Sequence, residues 1–171
     1  MDIEFRNQLT DAMRDFHLPR YHQLPDNGLY LEQTTKYING CLKQLGCMEI
    51  TSSMIRNYVK QGLVDNPVQK LYYADQIAHL ICITLLKKAT PLEYISRMFF
   101  RQEGIYTNQI AYDYFCMELE NILYYRFGLK DTVEDIGVTS SIEKEMLRSA
   151  ITAVCHMIYF NACYVRLPAE Q

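Results

Sequence analysis

The stretch from Ile50 to Tyr73 changes local geometry so often that it limits the fold more than any other part of the chain. Thr51, Ser52 and Ser53 offer hydroxyls that can cap a short helix over 53–61. Gly62 ends that helix, and Leu63 and Val64 begin a short strand. Asp65-Asn66-Pro67 makes a turn, after which Val68–Tyr73 can return as a second strand. Long helices and large sheets have no place for such a sequence. A small helical domain bearing a two-stranded wing does.

The flanking residues supply the helices. Ile3, Leu9, Ala12, Met13 and Phe16 form one apolar stripe over residues 3–16. A punctuated lead-in with Pro19, Pro25 and Asp26-Asn27-Gly28 follows. Residues 30–45 read as a helix with Leu31, Thr35, Ile38, Leu42 and Leu45 inward and Gly46 closing it. Beyond the wing, a helix over 74–88 turns Ile77, Leu80, Ile81, Thr84 and Leu85 to the core. Thr90-Pro91-Leu92-Glu93 combines a capping box with proline at the first helical position, starting a helix through Ile95, Met98 and Phe99. The last third reads as two long helices over 107–127 and 141–165, the second opened by a Ser140–Glu143 capping box. The expected fold is mainly α, a winged-helix domain over 1–104 followed by a C-terminal helical pair over 105–171.

Composition narrows the class. With 49% apolar and 22% charged residues, the chain has enough apolar surface to fold around a core. No basic-then-apolar leader opens the sequence, so secretion is not expected, and the location expected is cytoplasmic. The six cysteines contain no C-x-x-C pair and read as reduced thiols. Cys155, His156 and Cys163 are the nearest approach to a metal-ligand group. Adjacent helical residues point about 100° apart, so packing is the expectation there, with neither a metal nor a cofactor. Between Arg148 and Arg166 lie 17 residues without formal charge, but His156 and Asn161 interrupt them. That stretch suits a bundle or a dimer interface better than a membrane.

Charge is unevenly spread. The net charge is −3, yet residues 46–101 carry seven bases against four acids, and residues 102–171 five bases against ten acids. A basic middle beside an acidic tail is the pattern of a chain that touches a polyanion only through its middle.

The residues Ile50-Thr51-Ser52-Ser53-Met54-Ile55-Arg56-Asn57-Tyr58, then Gly62-Leu63, then Lys70-Leu71-Tyr72, resemble the MerR-type winged helix-turn-helix. The likeness extends over residues 30–100. Leu18-Pro19-Arg20-Tyr21, Leu24-Pro25 and Leu29-Tyr30-Leu31-Glu32-Gln33 narrow it to an uncharacterised bacterial family with a proline-rich lead-in before such a motif. The segment Gly46–Ile50 is longer than the usual MerR turn, and the wing lacks the usual arginine cluster. The resemblance implies a transcription regulator that binds double-stranded DNA through Thr51, Ser52, Ser53, Arg56, Asn57, Lys60, Lys70 and Tyr72.

Each residue has a role that chemistry permits. The three hydroxyls and free N–H groups at the helix start can hold a phosphate oxygen, or simply cap the helix. Arg56 can pair with guanine O6 and N7 or clamp a phosphate, and Asn57 can read adenine. Lys60 shares a face with Arg56. Lys70 and Tyr72 on the returning strand would approach the flanking backbone, although packing against the next helix is the plainer role for Tyr72.

Two other classes fit the same residues. One is an interaction module whose winged helix binds protein without touching DNA. The other is a sensor of an unknown small-molecule effector, with tyrosines and cysteines of the tail lining a pocket. The apolar tail exceeds what two lone helices could hide, which favours a homodimer. An enzyme is not expected, because no catalytic or phosphate-binding fingerprint occurs and His17, His22, His79 and His156 form no acid–base spacing.

Overall fold

A computed structural model describes residues 3–137 and 140–167. Among these residues it has seven α-helices and one small antiparallel sheet. Helix α1 (Ile3–Met13) packs through Leu9 and Met13. The lead-in then brings the chain to strand β1 (Leu29–Tyr30), which runs directly into α2 (Leu31–Leu42). A 3-10 turn over Lys43–Leu45 and a loop to Thr51 lead into α3 (Ser52–Lys60), and strand β2 (Leu71–Tyr72) follows. Helices α4 (Ala74–Leu86), α5 (Leu92–Gln102), α6 (Asn108–Arg126) and α7 (Ile142–Tyr164) complete the chain.

α4 is the axis of the molecule. Ile77, Ala78 and every residue from Leu80 to Leu86 are buried, on all sides rather than on one stripe. A helix apolar around its circumference is stable only when enclosed, and α2, α5, α6 and α7 supply the enclosure. Thr84, the polar exception, donates its hydroxyl to the Leu80 carbonyl at 2.6 Å. One core joins residues on both sides of position 104, from Leu9 to Ile158.

The wing differs from expectation. Leu63 and Val64 are buried but form no strand. The Gly62 N–H donates to the Val59 carbonyl at 3.0 Å and the Leu63 N–H to that of Tyr58 at 2.9 Å. This is the Schellman closure of a helix, and it consumes the donor a ladder would need. The strand partner comes instead from the lead-in: Leu29 faces Tyr72 and Tyr30 faces Leu71. The chain reverses just before β2, where Val68 and Leu71 exchange backbone hydrogen bonds at 2.9 and 3.0 Å. Gln69 and Lys70 between them both have positive φ, as a two-residue hairpin turn of the primed kind demands.

Two helix starts are also displaced. The Thr90 N–H is still bonded to the Leu86 carbonyl at 2.9 Å, so Thr90 closes α4 and the Thr90–Glu93 box does not form. Pro91 is the N-cap of α5, not its first helical residue. At α7 the cap is Ser141 rather than Ser140, its hydroxyl accepting from the Lys144 N–H at 3.2 Å.

The proline-rich lead-in is anchored to the later helices. Arg20 forms a bidentate pair with Glu120 of α6, at 2.8 and 2.6 Å. The Leu18 N–H donates to the same carboxylate at 2.8 Å, and the Tyr21 N–H to Asp113 at 2.7 Å. The Tyr21 hydroxyl reaches Asp75 of α4 at 2.6 Å.

Candidate functional site

α3 is amphipathic by its own spacing. Ile55 and Tyr58 are buried while Met54 and Val59 are half-buried, so one side is held in the core. Ser53, Arg56, Asn57 and Lys60 follow the i, i+3, i+4, i+7 pattern on the opposite side, and all four are exposed. Thr51 is the N-cap, its hydroxyl accepting from the Met54 N–H at 3.2 Å. Ser52 points back to α2 and shares a 2.9 Å hydrogen bond with Thr35.

Several residues outside the predicted set fix this helix. The Asn39 amide of α2 exchanges two hydrogen bonds with the Ile50 backbone, both at 2.9 Å, pinning the loop between the helices. Lys87 at the end of α4 donates to the Glu49 carbonyl at 3.3 Å and lies 6.0 Å from the Tyr58 ring centre. Burial holds its pKa below the ordinary lysine value, and Lys88 adds to that shift. Behind the turn, buried Gln76 donates to the Asn66 carbonyl at 2.8 Å and accepts from the Tyr73 N–H at 2.7 Å.

The structure brings most of the predicted residues together at one surface. Thr51, Ser53, Arg56, Asn57 and Lys60 are exposed on α3 or at its cap. Lys70 is exposed too, but at the tip of the turn rather than along a strand. Tyr72 is a correction: it is only 4% exposed, because β2 turns it inward. Burial raises the pKa of its phenol, while nearby Arg56 opposes that rise.

The electrostatic setting of α3 is distinctive. Among the described residues, Arg56, Lys60 and Lys70 enter no ion pair. The tail spends its cations internally: Lys130 pairs with Glu134, Lys144 with Asp135, and Arg148 with Glu118 and Asp135. Arg126 stacks over Tyr159, 4.2 Å from the ring centre. Arg56, Lys60 and Lys70 are thus open to an anionic partner, as are the exposed Lys36, Lys43, Lys88 and Arg97 elsewhere on the surface.

No metal-ligand cluster occurs among the described residues. Cys155 is fully buried and donates its thiol to the Leu119 carbonyl at 3.8 Å, whereas His156 is exposed. Among the described residues, no helix is long and apolar enough to cross a membrane.

The profile of a family described as Domain of unknown function (DUF1836) matches residues 19–115. No curated protein and no solved structure is significantly similar to the chain. The matched span is more than half of the chain and runs from the anchored lead-in, through α2, α3 and α4, into α6. The protein belongs to the DUF1836 family.

Proposed function

We propose that this protein is a DNA-binding transcription regulator that reads duplex DNA with α3 and the turn after it, as a cytoplasmic homodimer. One observation carries the reading: Ser53, Arg56, Asn57 and Lys60 form an outward stripe on a short, well-anchored helix whose cations lack acidic partners. A helix that enters the major groove needs that arrangement, with base-reading side chains outward and its N-terminal turn near phosphate. The order of helix, turn and short helix, with a tight turn and strand after it, supports the same reading.

The division of labour follows from the chemistry of the side chains. Arg56 offers two parallel N–H donors to guanine O6 and N7. Asn57 can match the adenine edge, since among the described residues its side chain has just a long 3.5 Å contact from the Gln61 amide. Thr51, Ser53 and the free N–H groups of the first turn suit a phosphate oxygen. Lys60 and Lys70 extend the positive surface on either side and contribute affinity without sequence preference.

The test is fluorescence anisotropy of a labelled mixed-sequence duplex between about 50 and 200 mM salt. Binding is expected to weaken steeply with salt. Arg56→Ala is expected to lower affinity at least tenfold, and Lys43→Ala, on the 3-10 turn, less than threefold. Folded protein that fails to bind at the lowest salt would defeat the proposal and favour a protein-binding module.

A further inference from the structure

A cavity of about 470 Å³ opens where the segment after α3 meets α4, α5 and α6. Its volume lies in the range that holds small organic ligands. The floor is apolar and aromatic, with buried Cys82, Leu86, Tyr112 and Phe115. The rim carries the exposed carboxylates of Asp65 and Glu103, and no lysine or arginine lines the space. Neither carboxylate has an ion-pair partner among the described residues.

Tyr112 contributes its ring to the floor, and its hydroxyl is buried beside the Cys116 thiol. His79 stacks on Phe99 with ring centres 4.9 Å apart. Burial lowers the His79 pKa, against the pull of Asp75, Asp65 and Glu103.

We infer that this cavity binds a small organic cation, an amine whose apolar body fills the aromatic floor and whose ammonium meets Asp65 and Glu103. An anion would face two carboxylates with no compensating base. A neutral molecule would gain the floor and the uncharged polar groups of Ser96, Thr107 and Asn108, but nothing from the charge of the rim. A cation gains the carboxylates and the faces of Phe99 and Tyr106 as well. The inference names a ligand class for an effector and does not rest on the DNA reading, because binding is measured on DNA-free protein.

The experiment is thermal unfolding and titration calorimetry of the full chain with three probes of one shape at equal ionic strength. They are phenethylamine, which is protonated at pH 7, phenethyl alcohol and phenylacetate. The amine alone is expected to raise the melting temperature, by about 3–5 °C at roughly tenfold excess over its Kd. The Asp65→Asn/Glu103→Gln variant, altered only at exposed side chains, is expected to keep its own melting temperature and lose at least tenfold in amine affinity. Equal shifts from all three probes, no shift from the amine, or undiminished affinity in the variant would each overturn the inference.

Discussion

At the scale of single residues, the strongest constraints are polar groups placed inside the core. Arg20 and Glu120 lie a hundred positions apart, and nothing in their neighbourhoods announces that they meet. Glu120 is 7% exposed and also accepts from the Leu18 N–H. Removing Arg20 therefore leaves a carboxylate in the core with one weak donor. Arg20→Ala is expected to cost about 2–3 kcal/mol, less than a fully buried pair because the guanidinium is partly exposed. Urea unfolding checks this, and a loss below about 0.5 kcal/mol would reduce the contact to a surface pair. Glu118 makes the opposite case. Burial raises its pKa above the ordinary 4.5, while Arg148 and Lys144 only partly oppose that. An acid whose folded pKa is raised favours folding when protonated, and that advantage is lost as pH rises from its unfolded value through its folded one. Glu118→Gln, which mimics the protonated acid, should raise the melting temperature near pH 7 by about 2–4 °C. The gain should vanish below about pH 4, as thermal scans at both pH values would show. The outward residues of α3 were legible because an i, i+3, i+4, i+7 stripe is local. Asn39, Gln76 and Glu120 were not, because each acts on a partner that folding brings to it.

At the scale of elements, helices and the strand before α4 declared themselves, and the strand pairing did not. α2, α3, α4, α6 and α7 lie within a few residues of where apolar period and caps put them. Two-residue strands have no period to read, so Tyr30 looked like the start of a helix and Leu63-Val64 like the hairpin partner of Val68–Tyr73. Glycine separates the two arrangements experimentally. Gly28 has φ +73°, and a Cβ there would stand 3.0 Å from both Leu71 Cβ and the Tyr73 ring. Gly62 has φ +72° with open space around it. Gly62→Ala should cost about 1 kcal/mol, the left-handed penalty alone. Gly28→Ala should cost about 2–3 kcal/mol, because the clash with β2 and the residue after it adds to the same penalty. Chemical denaturation of the two variants measures the difference. Equal losses would mean that the lead-in does not lie against β2.

At the scale of the whole molecule, the question is what covers α7. Its inner stripe of Leu147, Ile151, Val154, Cys155 and Ile158 packs into the core, which is why the uncharged stretch needs no membrane. Among the described residues, much of its other side near the C-terminal end stays exposed. Phe160 is 70% exposed and Tyr164 65%, their rings stacked, and Val165 and Leu167 continue the apolar surface. Exposed apolar groups gathered at one end of a helix are a common mark of association. On the proposed reading a second copy would cover them and supply the two-fold symmetry of a paired operator, with half-sites about 34 Å apart. The expectation is a dimer at about 10 µM in sedimentation equilibrium, within the range of ordinary protein association. Phe160→Glu/Tyr164→Glu should sediment as a monomer with an unchanged far-UV spectrum, since both side chains lie outside the core. The same variant should bind a single half-site as the parent does and lose its advantage on a two-half-site duplex. A parent chain that stays monomeric, or a variant that remains dimeric, would move the interface off this end of α7. The salt dependence expected of the proposed DNA binding is a separate matter, because it would read the cations around α3 whether one copy or two carry them.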